Sequence, residues 1–293
     1  MAPAIEIRRV GTIKDRLGEG PLWDVDEQAL YWVDTIRGIV HCYAPASGDM
    51  REWTVPGMIG SLALRAKGGA VLALEGGLHF FDFTADRATA IAGAEASDPR
   101  TRFNDGKVDR QGRFLAGTMA REMRDPLGAL YRLNPDLSVE VLEREVIVSN
   151  GPCFSPDGRT LYFADTRRRS IFAYDYDPAG GPLANKRVLV DTASYGTGPD
   201  GATVDAEGYL WSAQVLNGCL RRFAPDGKLD RTIELPVSYP SSVMFGGPGL
   251  DVLFVTSISE ALNDRAPPEA QAGALLAIHG LGVKGLPEPR FAG

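Results

Sequence analysis

Cysteine, histidine, basic charge and long apolar runs are all in short supply in this 293-residue chain. The three cysteines, Cys42, Cys153 and Cys219, are odd in number and far apart, which excludes a disulfide framework and zinc-finger spacing. They read as reduced, buried thiols of a reducing compartment. The three histidines, His41, His79 and His279, are scattered and form no ligand cluster. No apolar run approaches the ~20 residues of a membrane span, and the opening "MAPAIEIRRV" lacks the apolar core of a signal peptide. The expectation is a cytoplasmic protein with no membrane partner. A formal net charge of −7 argues against nucleic acid, where basic residues supply most of the affinity. No stretch longer than ~12 residues carries a capped helical stripe, so a βαβ fold is disfavoured. There is no G-x-S-x-G nucleophile elbow either.

Repetition is what the chain does have. A turn containing Asp or Gly, then an alternating apolar strand, recurs as "DVDEQALYWVD", "RAKGGAVLALEG", "DRQGRFLAGTM", "SPDGRTLYFAD", "DAEGYLWSAQ" and "GGPGLDVLFVTS". Third strands follow in "IVHCYAP", "LHFFDFT", "GALYRLNP", "SIFAYDYD", "CLRRFAPDG" and "GALLAIHG". Their period-two pattern and their Val, Leu, Tyr and Phe content are those of half-buried strands. The units open at Glu19, Ser61, Asn104, Asn150, Asp200 and Ser242, 42 to 50 residues apart. Forty-odd residues and about four strands make one propeller blade. The fold expected is therefore all-β: a six-bladed β-propeller forming a single domain over residues 1–293. The strand near Ile5 to Val10 is expected to join the last blade and remove an open edge.

In that geometry the six openers ring one mouth of the central channel. Glu19, Asn104, Asn150 and Asp200 are oxygen donors from four blades, each beside glycine or proline: "GEGP", "NDG", "SNGP", "GPDGA". Carboxylates gathered around one axis repel unless something positive lies between them. Two carboxylates and an amide oxygen suit one hard divalent cation, calcium, magnesium or manganese, while zinc or iron(II) could occupy an oxygen-rich catalytic site. Arg102, two residues before Asn104, could place a guanidinium beside it. Asp105 reads as a turn residue.

The phrases "LGEGPLWD", "RFNDGKVD", "GRFLAGTMA", "SNGPCFSPDGRTLYFADT", "PDGATVDAEGYLW" and "GLGVKGLPEPRFAG" resemble the senescence marker protein/gluconolactonase/regucalcin-like family, from about residue 16 onward. The resemblance implies a six-bladed propeller with one divalent metal held by Glu19, Asn150 and Asp200. It implies Asp200 as general base, and Arg102 and Asn104 as substrate-binding. After "GTMA" the animal members carry a glutamate facing the sugar, whereas this chain has Arg121, a third substrate-binding candidate that would favour a lactone with an extra carboxylate. The activity implied is hydrolysis of a sugar lactone by a metal-activated water, in a monomer or weak homodimer. Two alternatives stand beside it: a calcium-binding regulatory protein, and a metal-dependent hydrolase of esters or organophosphates.

Overall fold

A computed structural model describes residues 4–91, 98–262 and 265–293. It contains six four-stranded antiparallel sheets arranged as a ring, a six-bladed β-propeller. Blades 1 to 5 each take four consecutive strands, and their innermost strands are Gly18–Asp24, Ile59–Leu64, Thr101–Val108, Ser149–Phe154 and Gly198–Val204. Blade 6 is assembled from both ends of the chain. Its strands Pro240–Gly246, Val252–Ser257 and Leu275–His279 are completed by Glu6–Val10, paired antiparallel from Glu6 opposite His279 to Val10 opposite Leu275. The expected closure by the N-terminal strand is present, and it covers the edge that blade 6 would otherwise expose.

Burial falls from the ring's axis outward. The innermost strand of blade 4 is buried throughout, whereas its outermost strand Ala184–Asp191 is mostly exposed. A strand buried on both faces needs apolar neighbours in the blades on either side. Six clusters, one per blade interface, supply them: Tyr31 and Val33 pack with Leu62 and Leu72 between blades 1 and 2, and Trp23 and Trp32 with Met244 and Phe254 between blades 1 and 6. The three cysteines are buried free thiols, as expected.

Along the axis the innermost strands touch backbone to backbone. A Cβ added at Gly201 would lie 2.0 Å from Ser242 Oγ and 2.7 Å from Ser242 Cα in the next blade. Only glycine allows that approach. The channel is also narrowed from below. Residues 284–293 cross the ends of the innermost strands that lie away from the openers. Gly285 is bridged to Asp205 of blade 5 and Phe291 to Arg65 of blade 2. Ala292 N–H donates to the Gly112 carbonyl of blade 3 at 2.9 Å, and Arg290 pairs with Asp24 of blade 1. Between this segment and the innermost strands lies a cavity of 10 Å³, lined by Gly20, Asp105, Ser242, Glu288 and Pro289 among others. It has room for about one water.

Candidate active site

Every blade breaks its innermost ladder at the opener. Pairing with the second strand shifts between Glu19 and Leu22, Ile59 and Ser61, Phe103 and Gly106, Asn150 and Cys153, Pro199 and Ala202, and Pro240 and Ser242. Such bulges bend a strand and re-aim one side chain, here into the mouth of the ring. Gly20 and Gly151, which follow Glu19 and Asn150, adopt φ near +53°, the left-handed region that suits a residue without Cβ. All six openers are buried.

A chain of hydrogen bonds crosses three blades. Arg102 Nη1 donates to Asn104 Oδ1 at 2.7 Å and to the Phe103 carbonyl at 2.9 Å. Asn104 Nδ2 donates to Asn150 Oδ1 and to the Ser149 carbonyl, both at 2.9 Å. Asn150 Nδ2 donates to Thr166 Oγ1 at 2.8 Å, and Thr166 Oγ1 donates to the Pro199 carbonyl, also at 2.8 Å. Asn150 is thereby fixed with its amide oxygen inward, and that oxygen keeps a second lone pair. Among the described residues Glu19 accepts only the Gly20 N–H, at 3.1 Å through Oε2. Asp200 Oδ1 is buried with no hydrogen-bond partner among the described residues, although the Gly201 N–H lies against the carboxylate and eases its charge.

Burial, then the nearby charges of Asp200 and Asp105, hold the Glu19 carboxyl well above the usual carboxylate range. Burial and Asp105 do the same to Asp200. Arg102 is pulled down to about 10, mainly by burial, with Glu19 opposing the shift. Two reluctant carboxylates, one with an orphaned oxygen, and an oriented amide oxygen fit a hard divalent cation, which would supply the missing positive charge. Among the described residues no three His, Cys, Asp or Glu side chains cluster as a metal cage, so the amide is needed to complete a protein donor set.

Glu19, Arg102, Asn104, Asn150 and Asp200 thus share one mouth. Arg121 lies on the same face, where its charge opposes that of Arg102. Its Nη2 is paired with Glu75 at 2.8 Å and its Nε donates to the Pro99 carbonyl at 3.0 Å. Asp105 is more than a turn residue. Its Oδ1 does accept the neighbouring Gly106 N–H, at 2.8 Å, but Oδ2 reaches across to blade 4 and accepts Gly151 N–H at 2.9 Å. Sequence reading missed this tie and missed Thr166. A threonine after a strand carries no signal of its own; only the ring brings it under Asn150. Beside it, between blades 4 and 5, opens a cavity of 230 Å³ whose lining includes Thr166 and Gly198.

A family profile described as "SMP-30/Gluconolactonase/LRE-like region" matches residues 17–259. The chain belongs to this family. It is similar along its length to named members. A regucalcin of Xenopus laevis is 37% identical, with 99% of each chain covered. A 6-deoxy-6-sulfogluconolactonase of Pseudomonas putida is 36% identical, with 94% of this chain and 95% of the relative covered. Among solved structures, a regucalcin of Agrobacterium tumefaciens, described as a calcium-binding protein, superimposes with a TM-score of 0.92 at 29% identity, covering 98% of this chain and 97% of the other.

Proposed function

We propose that the chain hydrolyses a sugar lactone, an aldonolactone or a close relative, to the open-chain sugar acid, with one divalent metal ion as cofactor. Support comes from the gluconolactonase-type family and from the relative named for a sulfonated gluconolactone. The observation that carries the reading is the buried Oδ1 of Asp200, without a hydrogen-bond partner among the described residues, in a mouth shared with Glu19 and Asn150.

Glu19, Asn150 and Asp200 would hold the ion, which when bound supplies Lewis-acid polarisation of the carbonyl and acidifies water. The chain's own residues do the rest. Asp200 accepts the proton of the attacking water as the water oxygen bonds to the carbonyl carbon. The guanidinium of Arg102 donates to the carbonyl oxygen or to a ring hydroxyl, where negative charge develops. Asn104, held between Arg102 and Asn150, keeps both groups oriented. When the ring C–O bond breaks, Asp200 returns the proton to the departing ring oxygen. No serine nucleophile is required.

Asp200→Asn tests this. The asparagine still offers an oxygen, so metal binding weakens but recovers at high metal concentration, while turnover stays down by on the order of 10²–10⁴-fold. Full turnover restored by excess metal would make Asp200 a ligand alone. A calcium-binding regulatory role is the second reading, supported by the names of the regucalcin relatives. Calcium titration beside a lactone panel separates the two: calcium binding with no turnover of any lactone under any metal favours regulation.

A further inference from the structure

The 230 Å³ cavity beside the site is lined by two arginines and, among the described residues, by no carboxylate. Arg167 and Arg169 flank it, with Thr166 and Gly198 on the side of the metal-ligand candidates and Met123, Val215, Leu216 and Leu262 completing the wall. All three arginines of "DTRRRS" sit in the hairpin turn joining the second and third strands of blade 4, on the openers' face. They differ sharply in their partners. Arg168 is tied down: its Nη2 donates to the Glu145 carbonyl at 2.7 Å and its Nε lies 3.5 Å from Asp165. The guanidiniums of Arg167 and Arg169 have no hydrogen bond or ion pair among the described residues, in a chain whose net charge is −7. Their neighbour Thr166 is one hydrogen bond from Asn150 and one from the carbonyl of Pro199, the residue before Asp200.

Charge around the mouth points the same way. A divalent cation would cancel the two carboxylates of Glu19 and Asp200, and Arg121 is matched by Glu75. That leaves Arg167 and Arg169, on the lining of the cavity, as positive charge with no carboxylate beside it in that lining. A neutral polyol offers a guanidinium only single, neutral acceptors, whereas a carboxylate, sulfonate or phosphate accepts its planar donors in charge-assisted pairs.

We propose that Arg167 and Arg169 form a subsite for an anionic substituent of the substrate, so that the lactone taken by this chain carries an acidic group away from the ring carbonyl. This rests on the lactone reading above and sharpens its substrate class. The test compares an aldarolactone, which bears a free carboxylate, with the neutral aldonolactone of the same configuration. The ratio of their kcat/KM values is measured for the metal-loaded wild type, for R167Q/R169Q and for R167K/R169K. Because both arginines are exposed, each charge-assisted contact is worth less than a buried one, and the ratio should fall by about tenfold or more in the glutamine variant. The lysine variant should recover part of it. A wild-type ratio of one or below, or a ratio that the glutamine variant leaves unmoved, overturns the subsite. Calorimetric titration of the calcium-loaded protein with the aldarate and the aldonate gives a reading independent of turnover. If neither lactone is hydrolysed, the lactone reading fails. The subsite then stands only if the wild type prefers the dianion and R167Q/R169Q loses that preference.

Discussion

Asp105→Asn should do more damage when the metal is present than when it is absent. The carboxylate joins two blades through two short bonds, Gly106 N–H to Oδ1 at 2.8 Å and Gly151 N–H to Oδ2 at 2.9 Å. An amide offers one oxygen where the carboxylate offered two. Whichever way it turns, a buried N–H faces a donor, and each buried group left unsatisfied costs about 1–3 kcal/mol. Two such groups, the peptide N–H and the amide's own, give a loss of roughly 2–6 kcal/mol. An opposing effect operates only in the metal-free protein. There Asp105 repels Glu19 and Asp200, raising both, and burial raises Asp105 itself, so removing its charge relieves the cluster. A bound cation has already neutralised Glu19 and Asp200, so that relief disappears and the full hydrogen-bond loss is felt. Guanidinium unfolding with and without saturating calcium, followed through the buried Trp32 and Trp211, reads both numbers. Calcium affinity should also drop, since the peptide after Asn150 is no longer held. Equal stability loss with and without calcium, at unchanged affinity, would refute the assignment of Asp105 as the tie that positions Asn150.

Further outcomes follow from the same site. Glu19 and Asp200 have folded-state pKa values raised above their unfolded ones, so their contribution to stability is complete below about pH 4 and is lost as pH rises through the raised values. The melting temperature of metal-free protein should therefore decline from mildly acid to neutral pH and recover on adding calcium or manganese; a flat, metal-insensitive profile would count against a cation site. Gly201→Ala forces a Cβ onto Ser242 of the next blade, 2.0 Å from Oγ, and should cost about 1–3 kcal/mol while shifting Asp200 and lowering turnover. Gly76→Ala, with no atom within 4 Å of the added Cβ, is the control and should be near neutral in both thermal melting and rate assays.

How far the sequence could be read differs from one feature to the next. The ring was legible because a blade is a local unit: its turns and alternating strands sit within forty-odd residues, and repeating the unit multiplies the signal. The openers were legible for the same reason, since register within the repeat places them. What crosses between blades was not. Asp105 could be read as a turn residue through its bond to Gly106, but its bond to Gly151 spans 46 positions. The pairing of Arg121 with Glu75, also 46 positions away, belongs to the same class. The bulges that aim the openers leave no residue type in common, as Glu19, Ser61 and Asp200 show. Residues 284–293 carried family phrases yet gave no hint of their path beneath the ring.

That path has a consequence for traffic. With Gly285 to Ala292 strapped across the ring, among the described residues the channel is covered at the end away from the openers, as in a blind well. Whatever enters by the openers' mouth must leave by it. On the lactone reading, a sugar acid formed at the bottom would block its own successor until it departed, since both would use the one mouth. Product inhibition should be strictly competitive with substrate, and at high turnover the rate should track the speed at which the acid backs out.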